Sequence, residues 1–239
     1  MNLVVDYGNT LAKVAIFNQS ELAEKFVFTS KEELETFVKK STAENFIVSS
    51  VNTNAQQILD WAIGAKRKYV LSYQLPLPVK LRYSTPHTLG VDRIAGACGA
   101  VQLFKGFNTL VIDSGTCITY DFTDVEGNYW GGGISPGLLM RFKAVHTFTA
   151  RLPLVTPTEE PELVGNSTET SIQSGIINGM AGEIEGIIER YRLKYPDLKV
   201  ILCGGDAPFF ENKLKAAIFA SPDLVLFGLN SVLIHNVSA

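Results

Sequence analysis

Two stretches of this chain spell one pattern: an apolar run that stops at an aspartate, with a glycine two positions on. In Val4-Val5-Asp6-Tyr7-Gly8 and Val111-Ile112-Asp113-Ser114-Gly115, Val4 matches Val111, Val5 Ile112, Asp6 Asp113 and Gly8 Gly115, all at a single offset. After each, a second strand-like segment resumes, over residues 11–17 and 117–122, so each reads as a β-hairpin with a carboxylate at its tip. Small and hydroxyl residues at the first turn, Gly8, Asn9 and Thr10, let backbone N–H groups approach an anion, and Lys13 adds a positive charge on the return strand. One such hairpin reads as readily as a plain surface turn. Two of them, each opening a βββαβα run, describe a duplicated α/β chain with a ligand held in the cleft between halves, one hairpin from each.

The rest of the chain fits that frame. In the first half, residues 22–28 add a third strand, and Ser30 with Glu33 makes a capping box for a helix ending near Lys40. Residues 46–48 form a buried strand, 53–62 a helix and 69–71 a strand again. An extended segment held by Pro76 and Pro78 leads to Gly90-Val91-Asp92-Arg93, which opens an Ala- and Gly-rich helix to Phe104. An Asp in a first helical turn complements the dipole by roughly 0.3–1 kcal/mol, and Arg93 can pair on the surface, so a structural reading stands here beside a catalytic one. Residues 105–108 look like a junction, dividing the chain into halves 1–105 and 106–239.

In the second half, Gly131-Gly132-Gly133 follows a third strand and Ser135-Pro136-Gly137 opens a helix. Residues 165–169 cap a long helix, with Thr170 and Gln173 as its capping box. Gly175, Gly179, Gly182 and Gly186 recur on one face of it. Each costs about 1 kcal/mol relative to alanine, which implies close approach of another helix, from this chain or from a second subunit. The last buried strand, 200–202, ends at Cys203-Gly204-Gly205-Asp206, where a flat ring could rest on backbone, and helices over 209–218 and 225–236 close the chain.

Composition removes several function classes. With 21 Lys and Arg against 24 Asp and Glu, the chain lacks the clustered surplus cations that nucleic-acid binding needs. Cys98, Cys117 and Cys203 are far apart, as are His87, His146 and His235, so a disulfide framework, a zinc centre or a Ser-His-Asp hydrolase has little to build on. No charged leader precedes an apolar block, and no apolar segment approaches the eighteen or so residues of a spanning helix. The expectation is a cytoplasmic protein without a membrane or nucleic-acid partner.

Five motifs carry a family resemblance. Asp6-x-Gly8-Asn9-Thr10-x-x-Lys13, Gly90-x-Asp92-Arg93, Asp113-x-Gly115-Thr116, Thr149-Ala150-x-Leu152-Pro153 and Thr168 before Ser174-Gly175 occur in the order and approximate spacing of type III pantothenate kinase. The chain resembles that family over nearly its whole length. The resemblance implies duplicated ribonuclease H-like domains of the actin-like ATPase type, related to acetate and sugar kinases, each a mixed sheet flanked by helices. It implies ATP-dependent phosphorylation of pantothenate to 4'-phosphopantothenate, the first step of coenzyme A biosynthesis, by a homodimer. ATP would meet Asp6, Tyr7, Gly8, Asn9, Thr10, Lys13 and Thr116, with Mg²⁺ reached from Asp6 through water. Asp113 would hold a monovalent cation, K⁺ or NH₄⁺. Pantothenate would meet Tyr83, Gly90, Val91, Asp92 and Arg93, with Asp92 as proton acceptor, and Thr168 across the dimer interface. Ser114, Cys117 and Cys203 depart from the family's usual residues by small-for-small exchanges, which bears on nucleotide affinity. Two other readings stand beside it: another small-molecule kinase of the superfamily, and a non-catalytic nucleotide-binding regulatory protein, which would have no need of Asp92.

Overall fold

A computed structural model describes residues 1–8, 11–50 and 55–238. The chain packs as two compact units. One comprises Met1–Gly106, Thr123–Gly131 and Asp223–Ala239, the other Phe107–Phe122 and Gly132–Pro222.

The first unit is built on strands β1 (Asn2–Tyr7), β2 (Ala12–Asn18), β3 (Glu21–Phe28), β4 (Asn45–Ser50) and β5 (Arg67–Val70), in the spatial order β3-β2-β1-β4-β5. β1 pairs antiparallel with β2 and parallel with β4, which makes the sheet mixed. The side-chain period of two explains why β1 is apolar on both faces. Leu3 and Val5 pack against Leu34 and Val38 of α1 (Lys31–Lys40) and Ile58 and Trp61 of α2 (Ala55–Trp61), while Val4 joins Ala95, Ala97 and Leu229 on the other side. Those last residues belong to α3 (Val91–Leu103) and α7 (Leu224–Val237), which meet through glycine: a Cβ on Gly228 would collide with the Ala95 carbonyl, and one on Gly99 with the Leu224 carbonyl. The Ala- and Gly-rich composition of α3 is thus a packing requirement, since small residues let two backbones come together.

The second sheet holds β7 (Thr109–Ser114), β8 (Cys117–Thr123), β9 (Asn128–Pro136), β10 (Lys199–Cys203), β11 (Phe219–Ala220) and the short β6 (Lys80–Leu81). Its order, read from one edge, is β6-β9-β8-β7-β10-β11. Apart from β6 added at that edge, this repeats the first sheet strand for strand, and the duplication expected from the two acid-tipped motifs is present in the topology. α4 (Leu138–Thr147) and α5 (Thr168–Lys194) cover one face through Phe142, Ile176, Met180, Ile184 and Ile188.

Several local expectations change. Pro136 ends β9, and α4 starts at Leu138 behind an N-cap at Gly137. The capping box of α5 joins Ser167 to Thr170, because the helix begins one turn earlier than a Thr170 cap requires; Gln173 donates to the Thr156 carbonyl, 3.0 Å away. Ser30 accepts from the Glu33 N–H, but its own hydroxyl turns to Glu32, so the box there is one-sided. The helix expected over 209–218 is one short turn, α6 (Ala207–Glu211), followed by β11, which finds a parallel partner in β10. Thr53, the expected start of α2, lies outside the described residues.

Candidate active site

In the first unit the site is made where β1 ends. Asp6 stands opposite Lys13 across the β1–β2 pair and opposite Ser49 across the β1–β4 pair. Cross-strand partners share a face, so both side chains lie on the same side of the sheet as the carboxylate. The buried Ser49 hydroxyl donates to Asp6 Oδ1 over 2.7 Å. Burial pushes the Asp6 carboxyl above its ordinary value; Ser49 opposes that shift, the negative charge of Asp92 adds to it, and Lys13 opposes it weakly. Asp6 and Asp92 are therefore close enough to repel, although they are far apart in sequence. Tyr7 closes β1, and the Gly8 N–H donates to the Leu11 carbonyl at 3.1 Å. Asn9 and Thr10 lie outside the described residues.

Asp92 sits in the first turn of α3, behind Gly90 as N-cap and Val91 as first residue. Its Oδ1 accepts the Arg93 backbone N–H at 2.9 Å. A Cβ at Gly90 would collide with that same oxygen, so glycine leaves the space the carboxylate occupies. Arg93 is buried, its guanidinium 5.9 Å from the Tyr83 ring centroid in a cation–π arrangement. Tyr83 in turn packs against Gly131, whose φ is +91° and whose Cβ would come within 2.7 Å of the ring. One wall thus joins Tyr83, Gly90, Val91, Asp92 and Arg93.

In the second unit, Asp113 is opposite Cys203 on the parallel neighbour β10. The next residue, Gly204, has φ +95°, and a Cβ there would strike both Asp113 Oδ1 and the Ser114 carbonyl. Two oxygens therefore converge over a backbone that only glycine can bring so near. Thr116 is exposed at the turn into β8, and its carbonyl accepts the Gly137 N–H at 3.2 Å. Thr168 is exposed as the first residue of α5. Asp113, Thr116 and Thr168 belong to the second unit, and Asp6, Lys13, Tyr83 and residues 90–93 to the first.

Ser49 is a site residue absent from the motifs above. Its signal was there to find: a strand of apolar residues that ends in Ser49-Ser50, as the first strand ends in Asp6-Tyr7. Tyr120, Arg141 and Glu183, which form a half-buried polar cluster in the second unit, had no such signal, because they are joined only by the fold.

Chemically, a half-buried carboxylate flanked by a hydroxyl and a lysine suits a polyphosphate and its cation, and a second carboxylate at a helix start suits alignment of a hydroxyl. Among the described residues no group of three or more His, Cys, Asp and Glu could hold a metal ion. A lone carboxylate is nonetheless what a Mg²⁺ arriving on a nucleotide asks of a protein, since that ion keeps most of its shell as water and phosphate oxygen.

Comparison with known proteins agrees with this construction. The family model of type III pantothenate kinase matches residues 2–190. The type III pantothenate kinase of Christiangramia forsetii is 48% identical over 242 residues, covering 99% of each chain. Among solved structures, a conserved Baf family protein of Campylobacter jejuni aligns with a TM-score of 0.67 at 21% identity over 99% of this chain and 100% of that one. Glucokinase from an Antarctic psychrotroph aligns at 0.54 with 10% identity over 98% of both. Those two likenesses are of fold, which alone names no substrate. Taken with a match that runs almost end to end and two acid-tipped sheets of the actin-like ATPase kind, they lead to one conclusion: the chain belongs to the type III pantothenate kinase family.

Proposed function

We propose that this chain transfers the γ-phosphoryl group of ATP to the primary hydroxyl of pantothenate, the first step of coenzyme A biosynthesis. Family membership supports the substrate pair, and the observation that carries the chemistry is the Asp6 carboxylate bonded by Ser49 and set opposite Lys13, in the same unit as Asp92 at the start of α3. In this reading Asp6, Tyr7, Gly8, Asn9, Thr10 and Lys13 hold the ATP phosphates, with Thr116 as a further contact, and Asp6 meets Mg²⁺ through water. Tyr83, Gly90, Val91, Asp92 and Arg93 hold pantothenate. Bound Mg²⁺ would neutralise charge on the phosphate oxygens.

Phosphoryl transfer passes through a loose transition state, so the protein's work is positioning and charge neutralisation. Lys13 supplies fixed positive charge beside the phosphates. Asp92 accepts the hydroxyl proton as the new O–P bond forms, and its orientation is held by the Arg93 N–H and by the space Gly90 leaves. Two further parts belong to the proposal. Asp113 holds K⁺ or NH₄⁺, supported by the convergence of its Oδ1 with the Ser114 carbonyl over Gly204. The enzyme is a cytoplasmic homodimer, and Thr168 reaches the partner's pantothenate. Supporting the dimer, a Cβ on Gly175, Gly179, Gly182 or Gly186 would meet nothing within 4 Å, and beside that helix the loop bearing Leu163 and Val164 leaves both about 80% exposed. No helix among the described residues is long and apolar enough to cross a membrane.

A coupled assay of ADP release tests the reading. Turnover should require pantothenate and rise when potassium or ammonium replaces sodium. Equal turnover with glucose or acetate and none with pantothenate would replace it with the sugar- or acetate-kinase alternative; ATP binding without turnover on any of them would favour the regulatory one.

A further inference from the structure

In the second unit a polar cluster ties three elements together. Glu183 of α5 accepts the Tyr120 hydroxyl of β8 at Oε1 over 2.9 Å and Arg141 Nη2 of α4 at Oε2 over 2.6 Å. Arg141 turns two further donors on the corner just before its own helix: Nε reaches the Pro136 carbonyl at 2.8 Å and Nη2 the Ser135 hydroxyl at 3.0 Å. That corner lies directly on the second hairpin turn. The Gly137 N–H donates to the Thr116 carbonyl at 3.2 Å, and a Cβ on Gly137 would collide with the carbonyls of Gly115 and Thr116. No side chain stands between them, so a shift of the corner is passed to the turn undamped.

We propose that the Arg141–Glu183 pair is a positioning device for the Gly115–Thr116 turn and thereby sets nucleotide affinity. The inference rests on the reading above that Thr116 contacts ATP. A planar guanidinium engaged at three acceptors fixes orientation as well as distance, which a lysine at the same place cannot do. Tyr120 completes the arrangement by holding the other oxygen of Glu183, and both Arg141 and Glu183 are largely shielded from solvent screening. An isolated surface pair would order nothing; a charged fork braced from a strand and aimed at a backbone corner does.

The test uses the full-length enzyme and two conservative variants, Arg141→Lys and Glu183→Gln. Each should raise the KM for ATP on the order of tenfold, as small misplacements of binding groups do, with kcat and the KM for pantothenate little changed. Titration calorimetry with a non-hydrolysable ATP analogue should show the same loss without turnover. Because the two residues form one device, the double variant should be no worse than the more damaged single one. Thr116→Val is the reference arm. If it raises the KM for ATP while Arg141→Lys and Glu183→Gln only lower Tm, the positioning role is overturned and the pair is structural. If Thr116→Val leaves ATP affinity unmoved, the assignment of Thr116 fails; a loss confined to the other two variants would then overturn the route through the turn as well.

Discussion

The two acid-tipped strands start from one sequence pattern and end in different company. In parallel register beside Asp6 stands Ser49, and beside Asp113 stands Cys203. One position further, the first sheet has Ser50 and the second has Gly204 in the left-handed region. A hydroxyl donor against Asp6 occupies one carboxylate oxygen and favours its charged form, while Lys13 and Asp92 pull in opposite directions. At Asp113 the distinguishing feature is backbone: a glycine that lets the carboxylate oxygen and a carbonyl crowd the same point. A duplicated scaffold fixes where each carboxylate is held. The neighbouring strand decides what that carboxylate can do.

The largest effect that can break this comparison lies on the first side. Asp92→Asn should lower kcat by about 10²- to 10⁴-fold, the usual span of general-base assistance, with ATP binding by calorimetry unchanged. Near-normal turnover would leave Asp92 with the bland role of a helix-start carboxylate and deprive Asp6 of its functional neighbour.

Smaller in free energy is the contrast of the two glycines. Gly204→Ala forces a left-handed alanine, roughly 1–2 kcal/mol, and drives its Cβ against the Asp113 Oδ1 and the Ser114 carbonyl. A loss of at least about 2 kcal/mol corresponds to a Tm fall of about 4–8 °C for a chain of this size. Gly8→Ala, whose Cβ would sit 3.4 Å from the Leu11 carbonyl, should cost less than about 1 kcal/mol. Equal thermal shifts for the two would remove the backbone distinction between the tips.

The smallest expected effect is a gain. Because burial raises the Asp6 carboxyl above 3.8, the folded protein keeps that proton at a pH where the unfolded chain has lost it. Stability therefore falls as pH rises from about 3.8 through the raised value, and the loss is complete above it. Asp6→Asn escapes this and can still accept from Ser49, so it should be more stable than the parent at neutral pH and no more stable near pH 3, while losing ATP affinity. Urea titrations at both pH values read the difference. A destabilised variant at pH 7 would mean that Ser49 and Lys13 outweigh burial.

Much of this was legible in order along the chain. The repeat of Asp6 and Asp113, the strand–helix alternation and the opening of α3 at Asp92 are local patterns, set by apolar periodicity and turn residues acting over a few positions. The short elements were not: residues 209–218 read as a helix because their apolar spacing permits one, yet only one turn forms, and the chain then runs without helix to Phe219, which pairs with Ile201.

By itself, then, the sequence determined the architecture, the two carboxylate tips and the kinship with the pantothenate kinases, because each depends on residues close together or on a pattern repeated whole. Only the tertiary structure decided that Ser49 serves Asp6, that Tyr83 packs against Gly131, and that Glu183 braces Arg141 against the turn of Thr116. Those pairs are dozens of residues apart. Hydrogen bonds and van der Waals contacts act over a few ångströms of space, and no spacing along a chain records which distant residues the fold will bring within that reach.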